Sequence, residues 1–508
     1  MPGFYVENFG CRATQADGAA LERQFEERGL SRASGTHNAS VVILNTCTVT
    51  TGADQDARAA IRRVRRQNPE ARIVVTGCYA QRAPEELAAL PGVDLVIGNS
   101  HKHQLAEIAL GSSLPTETGS FIPLGALIQR PTTNDQRPAT NDQRQTTESQ
   151  RPIFVSDIFA HTELLAAPVF EAANERTRPN LKIQDGCDNR CSFCVIPYVR
   201  GQSRSLETER IVQEVNTLVN AGYREVVISG INLGRWGRDL KGVTTNVETA
   251  APGCPGEQSS PATAVAGPDQ SAHKALGQRP TTNDQRLVSL IGRILHKTTL
   301  EKLRISSVEP MDWTDDLIAL VASEPRIAKH AHVPMQSGSD AVLRRMHRKY
   351  RPWHYREKIE KIHAAMPQAA IGADVMVGFP GETDSEFEAT RRMIEDLPFT
   401  YLHVFTYSAR PGTPAATMQN QVPVHIARER NRILRELAAE KKLAFMRSFI
   451  GKTVEAITLN VVGNDEYGEF TEALTDNYLK LRLRGAHARN RWLQACILGV
   501  RDGVLQGV

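Results

Sequence analysis

No run of about 18 apolar residues occurs in the 508-residue chain, which argues against a membrane-spanning helix. The first residues, Met1-Pro2-Gly3-Phe4-Tyr5-Val6-Glu7, lack a basic stretch followed by an apolar one. No secretory leader is therefore expected, and the expected location is cytoplasmic. Neither sign of charge dominates, since 61 Lys and Arg against 57 Asp and Glu leave +4. That balance admits a nucleic-acid partner without requiring one, so the placement of charge matters more than its total. Paired C-x2-C knuckles with four protein ligands, the usual mark of structural zinc, are also missing. Eight cysteines without a leader point to a reducing compartment and metal chemistry rather than disulfides. Two stretches lack apolar residues altogether. The nonapeptide Gln129–Arg137 recurs as Gln278–Arg286 among Pro, Asn, Asp and Thr. Such segments bury too little surface to offset ordering entropy and read as disordered surface insertions. Residues 243–286 extend the second, and Cys254 within them reads as a non-ligand.

What the chain does have is cysteine in two patterns. Lys182-Ile183-Gln184-Asp185-Gly186-Cys187-Asp188-Asn189-Arg190-Cys191-Ser192-Phe193-Cys194 carries C-x3-C-x2-C. Three thiolates this close suit a four-iron cluster with one iron left open to a small molecule. The second pattern lies in residues 1 to about 117. There Phe4–Phe9, Val41–Leu44 and Ile73–Thr76 read as strands, with helical patterns over Ala16–Arg28 and Asp54–Gln67. This β-α-β rhythm predicts a small parallel sheet. Each strand is followed by a cysteine: Gly10-Cys11, Asn45-Thr46-Cys47 and Gly77-Cys78. One such residue alone reads as a small buried hydrophobe. In an open parallel sheet the C-terminal strand ends share one edge, so three at equivalent positions are expected to converge on a metal centre. Arg58, Arg62, Arg63, Arg65 and Arg66 read as a solvated helix face.

From Asn180 to about Ser408 six strands alternate with helices: Leu181–Gln184, Glu225–Ser229, Leu303–Ser306, His330–Val333, Ile371–Val377 and Tyr401–Thr406. Six is short of the eight that close a (β/α)8 barrel, so a partial barrel open on one side is expected. The strand ends carry the cysteine loop, Ser229-Gly230-Ile231-Asn232, Ser307-Val308-Glu309, Pro334-Met335-Gln336-Ser337-Gly338 and Gly378-Phe379-Pro380-Gly381-Glu382. Thr383-Asp384-Ser385-Glu386 is a capping box that opens a helix with Phe387 and Ile394 inward. Arg428–Arg447 is a long helical pattern. After Gly451 the period becomes two, with Leu479, Leu481 and Leu483 alternating with Lys480, Arg482 and Arg484. Trp492–Gly499 and Val504–Val508 follow as strands. A small β-barrel of the oligonucleotide-binding type is expected, with Lys480, Arg482 and Arg484 as RNA contacts. Cys496 reads as structural.

On these motifs the chain resembles the radical S-adenosylmethionine (SAM) methylthiotransferases over nearly its whole length, the two insertions excepted. The resemblance implies an α/β fold of four parts. Residues 1–117 would form the N-terminal domain, and 118–177 a linker with a low-complexity insertion. Residues 178–445 would form a radical SAM partial (β/α)6 barrel interrupted at about 241–286, and 446–508 a small RNA-binding barrel called TRAM. It implies two 4Fe-4S clusters, an auxiliary one on Cys11, Cys47 and Cys78 and a SAM-binding one on Cys187, Cys191 and Cys194. Gly230, Asn232, Glu309, Gln336, Asp374 and Phe379 would contact SAM. One SAM would methylate sulfur held at the auxiliary cluster. A second would yield a 5′-deoxyadenosyl radical that removes hydrogen from C2 of an adenine. Asn45-Thr46-Cys47-Thr48-Val49-Thr50, Gly77-Cys78-Tyr79-Ala80-Gln81 and Gly230-Ile231-Asn232-Leu233-Gly234 look most like the branch acting on N6-threonylcarbamoyladenosine, next to the anticodon of tRNA. The implied partners are a tRNA anticodon stem-loop and an electron donor of flavodoxin or ferredoxin type, with no membrane. The sequence does not identify the sulfur donor. Alternatives are the branch acting on N6-isopentenyladenosine, the branch acting on a ribosomal-protein aspartate, and a non-catalytic metal-containing RNA-binding protein.

Overall fold

Short strands that are apolar on both sides open the chain, and they build a sheet covered on both faces. The computed structural model describes residues 3–111, 151–161, 164, 178–240, 286–466 and 468–508. The linker insertion, the second repeat segment up to residue 285, and Cys254 lie outside the described residues. Strands β1 (Gly3–Asn8), β2 (Ser31–Arg32), β3 (Val41–Thr46), β4 (Arg72–Gly77), β5 (Leu95–Gly98) and β6 (Ile153–Phe154) form one sheet in the order β2-β1-β3-β4-β5-β6. Every pairing in it is parallel. Val42, Ile43 and Leu44 are fully buried, as a doubly covered parallel strand requires. Helices α1 (Arg12–Glu26), α2 (Thr51–Gln67) and α3 (Cys78–Arg82) follow β1, β3 and β4. The sheet exceeds the three strands read from the sequence. Leu95-Val96-Ile97 is too short an apolar run to show a period, and the edge strands have two residues each.

The central part holds β7 (Asn180–Asp185), β8 (Arg204–Ser205), β9 (Glu225–Gly230), β10 (Lys302–Ile305), β11 (His330–His332), β12 (Ala370–Val377) and β13 (Tyr401–Thr406). β7, β9 and β10 pair in parallel, as do β11, β12 and β13. Parallel bridges Leu303↔Ile327 and Ser307↔His332 link the two groups. The result is an arc of six parallel strands, the partial barrel expected, with β8 added antiparallel to β7. Alternation along each strand sorts the layers. Leu181 and Ile183, Val226 and Ile228, and Ile371, Ala373, Val375 and Val377 belong to the apolar core shared with Ile211, Val215, Leu218, Ile359, Ile362 and Ile394. Each such fully buried side chain contributes about 1.5–3 kcal/mol. Between them, Lys182, Gln184, Arg304, His332 and Asp374 turn to the other face. Thr383 and Glu386 cap each other's backbone amides at 3.3 and 2.9 Å, and Phe387 and Ile394 are buried beneath.

A helix over Val424–Arg447 leads to β14 (Thr453–Asp465), β15 (Gly468–Thr475), β16 (Lys480–Arg484), β17 (Trp492–Arg501) and β18 (Val504–Gly507), which close a barrel. In β16, Leu481 and Leu483 are buried, while Lys480 and Arg484 are exposed. This barrel docks on the central part through charge. Lys302 Nζ reaches Glu455 at 3.0 Å, and the buried Arg304 binds Glu225 at 2.6 Å and the Asp476 carbonyl at 3.0 Å. Among the described residues no helix is long and apolar enough to cross a membrane.

Candidate two-cluster site

Because β1, β3 and β4 are neighbours, the residues just past their C-terminal ends meet along one edge. Cys11 stands at the head of α1, Cys47 follows β3, and Cys78 begins α3. Two glycines allow the close approach. Gly10 has φ +111, and a Cβ on it would lie 2.6 Å from the Cys47 Cβ. Gly77 has φ +99, and a Cβ there would lie 2.3 Å from the Thr46 carbonyl. The Val49 amide donates to Cys47 Sγ at 3.5 Å, and Asn99 Nδ2 to Cys78 Sγ at 3.7 Å. Burial, then Cys78 and Cys11 nearby, push the Cys47 thiol up to about 12. Thiols that resist ionising beside one another become thiolates when a cation sits among them.

The second triad lies in the loop after β7. Gly186 has φ +70, and a Cβ there would sit 1.9 Å from the Gln202 carbonyl. The Cys187 amide donates to Gly201 at 3.1 Å, which closes the loop on itself. Asn232 Nδ2 lies 3.6 Å from Cys187 Sγ, and Arg348 donates to Cys191 Sγ at 3.2 Å. Burial first, and then Cys191, push the Cys194 thiol up to about 12. Phe193 meets Phe379 edge-on, with ring centres 6.5 Å apart.

The spacing of the sulfurs bears on what they hold. Around one tetrahedral zinc, sulfurs at about 2.3 Å from the metal lie about 3.8 Å apart. Among the described residues the one group of three ligand-type side chains gathered within 4.8 Å is His332, Asp374 and His403. Three cysteines in each triad suit a multi-iron cluster with a free corner. One member of the first triad and all of the second meet in one place. Cys11, Cys187, Cys191 and Cys194 line a single cavity of about 600 Å³. Cys47 and Cys78 are buried behind that wall, and Cys78 packs against Val195 and Val199, just past the second triad.

Of the residues read from the sequence as SAM contacts, Gly230, Asn232, Glu309, Gln336 and Asp374 line this cavity. Phe379 does not. It is fully buried under Phe193, where it fills space beneath the cysteine loop. Gln336 sits at φ +63, a conformation uncommon for a residue with a side chain. Glu309 is bound to Arg348, and burial raises its carboxyl although that guanidinium opposes the shift. Asp374 Oδ1 lies 3.2 Å from both His332 Nε2 and His403 Nδ1. Burial alone would raise this carboxyl, but the two imidazoles hold it well below the usual carboxylate range. Lys480, Arg482 and Arg484 lie away from the cavity. Arg482 stacks on Phe470 at 4.6 Å, which leaves Lys480 and Arg484 as its exposed neighbours.

The sequence reading missed Arg12, Arg348, His332, Tyr401, His403 and Tyr478, all on the cavity wall. A signal was available for two pairs. His330/His332 and Tyr401/His403 sit two apart in strands, so each pair shares a face, and that face is the lumen. Arg12, Arg348 and Tyr478 gave no local sign, because their partners are distant in the chain.

Comparison with known proteins identifies the family. Residues 3–98 match an uncharacterized protein family, UPF0004, and residues 181–234 and 268–394 match the radical SAM superfamily. The chain is 33% identical to the threonylcarbamoyladenosine tRNA methylthiotransferase MtaB of Bacillus subtilis, over 94% of this chain and 89% of that one. It is 33% identical to the MtaB of Aquifex aeolicus, over 94% and 96%. It is 31% identical to the tRNA-2-methylthio-N(6)-dimethylallyladenosine synthase of Novosphingobium aromaticivorans, over 89% and 86%. A solved structure of the radical SAM methyltransferase TsrM from Kitasatospora setae overlays with a TM-score of 0.49 at 15% identity, covering 82% of this chain and 77% of that one. The chain belongs to the radical SAM methylthiotransferase family and is an enzyme whose cofactors are SAM and two 4Fe-4S clusters.

Proposed function

We propose that the enzyme converts N6-threonylcarbamoyladenosine, beside the anticodon of tRNA, to its 2-methylthio derivative in the cytoplasm. The observation that carries the chemistry is that Cys11 and the Cys187/Cys191/Cys194 triad open onto one cavity. The choice of nucleoside is supported by the names of the relatives from Bacillus subtilis and Aquifex aeolicus. Cys187, Cys191 and Cys194 would hold the cluster whose free iron takes SAM, and Cys11, Cys47 and Cys78 the auxiliary one. Bound there, these cofactors supply the electron, the methyl group and the hydrogen abstraction that an inert aromatic C–H bond demands. The chain's own residues arrange the reactants. Asn232 and Arg348 fix the sulfurs of Cys187 and Cys191. Phe193 and Phe379 seal the underside of the loop against water. Gly230 leaves space for a backbone approach to SAM, and Gln336 and Asp374 face the same space from the segment after β11 and from β12. The target base must leave its stack to enter. Lys480 and Arg484, exposed on the outer barrel, would meet the stem phosphates, and a flavodoxin or ferredoxin would deliver the electron.

Nucleoside mass spectrometry of tRNA from a deletion strain tests this. The 2-methylthio-threonylcarbamoyl nucleoside is expected to vanish and to return when the gene is restored. Its persistence in the deletion strain, with loss of the 2-methylthio-isopentenyl nucleoside instead, would assign the other tRNA branch.

A further inference from the structure

Two arginines line the cavity, and they differ in one respect. Arg348 is neutralised by Glu309. Arg12 has no carboxylate partner among the described residues, and its guanidinium donates to the hydroxyl of Tyr478 at 3.2 Å. The Arg12 backbone is pinned, since Asn180 Nδ2 donates to its carbonyl at 3.0 Å. Tyr478 is pinned as well. It sits at φ +68 in the turn between β15 and β16, where its amide donates to the Thr475 carbonyl at 3.0 Å. Its neighbour Asn477 donates to the Gln368 carbonyl at 3.0 Å. The Tyr478 ring lies 5.0 Å from that of His330, with Arg304 at 5.4 Å and Arg178 at 5.8 Å from its centre. Those two arginines share the carboxylate of Glu225, so Arg12 is the cation left unmatched.

We infer that Arg12, together with the Tyr478 hydroxyl, receives the carboxylate of the threonyl group on the target nucleoside and thereby selects that nucleoside over a neutral N6-alkenyl one. This rests on the function proposed above. A threonylcarbamoyl group ends in a carboxylate and carries a hydroxyl, whereas an isopentenyl group is pure hydrocarbon. A guanidinium with free donors binds the first in a charge-assisted, two-pronged manner. The second would strip water from the same cation and return nothing, so the site both attracts one substrate and penalises the other. The Tyr478 hydroxyl accepts from Arg12 and keeps its own proton to donate. Tyr478 belongs to the C-terminal barrel, so that barrel takes part in choosing the base as well as in gripping the stem.

The test uses reconstituted full-length enzyme and three anticodon stem-loops of one sequence. Their target adenosine carries threonylcarbamoyl, its methyl ester, or isopentenyl. Wild type is expected to bind the free acid about ten- to hundredfold more tightly than the ester, the range for losing one charge-assisted pair. Arg12→Gln should bind acid and ester alike, Arg12→Lys should recover part of the preference, and iron content and SAM affinity should not change. Should Arg12→Gln lose iron because it adjoins Cys11, Tyr478→Phe carries the same test and should cut the preference several-fold. An undiminished preference in the iron-loaded variant, or a loss of SAM affinity in place of that preference, overturns the assignment. Wild type that methylthiolates only the isopentenyl stem-loop would overturn the proposed function itself, which is a separate result.

Discussion

Asp17 is the residue whose loss tests most sharply how the N-terminal sheet is held to the central barrel. It lies on α1, only 2% exposed, with Lys102 Nζ at 3.1 Å, Arg200 at 3.0 Å and Lys182 closer still. Asp185 shares Lys182 at 2.8 Å and Arg200 at 3.0 Å. Three cations thus face two carboxylates, a net charge of +1 in a buried cluster. Asp17→Asn would leave the same three cations facing one carboxylate. Removing one member of a buried ion cluster costs about 3–5 kcal/mol. The titration of Asp17 gives an independent figure. Burial would raise its carboxyl, but Lys102, Lys182 and Arg200 outweigh burial and hold it at about 2, against 3.8 ordinarily. A depression of that size corresponds to about 2 kcal/mol, close to the lower end of that cost. Because the folded value is depressed, this stabilisation is present above pH 4 and fades as the pH falls from about 4 to 2. Thermal unfolding of the reconstituted enzyme at pH 7 should show Asp17→Asn lower by about 6–20 °C, at about 2–4 °C per kcal/mol. The gap from wild type should narrow towards pH 2. Adding Lys182→Met, which removes an unmatched cation, should restore part of the loss. An Asp17→Asn melting temperature within about 1 °C of wild type would refute the account, as would strict additivity with Lys182→Met.

Three further expectations follow from the site and its supports. Cys11→Ala and Cys187→Ala should each lower iron from about eight to about four per chain; eight irons retained in Cys11→Ala would exclude the shared N-terminal site. Arg348→Met combined with Glu309→Gln removes a buried cation 3.2 Å from Cys191 Sγ without stranding its partner. The cation alone would be worth about 1–3 kcal/mol at an effective dielectric of about 20, and loss of the Glu309 carboxylate offsets part of it, so the cluster's potential should fall by a few tens of millivolts, on the order of 20–60 mV; an unchanged midpoint in an EPR-monitored titration would show that Arg348 does not tune it. Gly372→Ala would place a Cβ 1.9 Å from the Tyr401 ring, so it should destabilise the enzyme by about 1–3 kcal/mol. An unaltered melting temperature would mean that Tyr401 is free to move aside.

The legible parts of this chain were those in which local pattern and final contact coincide. Cys11, Cys47 and Cys78 were read as convergent because parallel strands end on one edge, which needs no knowledge of distant pairings. The leucines of β16 were legible for the same kind of reason, since one face of that strand is covered and the other is wet. Lys182 and Asp185 gave no sign of the joint they form, because charged residues in a strand normally mark a solvent face. Here the second face is covered by α1, and both residues are consumed by Asp17 and Arg200. Phe379 was read as a cofactor contact because it follows Gly378 at a strand end. It instead fills the volume under Phe193, an outcome set by the loop after β7 and invisible near residue 379. Arg12 and Tyr478 are 466 positions apart, and no window on the sequence joins them.

The charged contacts concentrate where separate parts of the chain meet, and the chemistry gives a reason. The two cysteine triads come from different sheets, so their relative position depends on the joint between those sheets. An apolar joint of similar area would hold them nearby but would tolerate sliding, because hydrophobic burial has no direction. A buried ion pair tolerates little, since a shift of an ångström or two leaves charges unpaired at a cost of several kcal/mol. Asp17 with Lys182 and Arg200 locks α1, and so Cys11, against β7. Asp54 with Arg410, which also donates to Thr48 at 2.9 Å, locks the segment after Cys47 against the loop beyond β13. Lys302 with Glu455, and Arg304 through its bond to the Asp476 carbonyl, lock the C-terminal barrel under Tyr478. Each lock sits within a few residues of a group on or behind the cavity wall. Substituting apolar residues for both members of one such pair should therefore preserve stability better than it preserves turnover. A pair that served stability alone would lose both together.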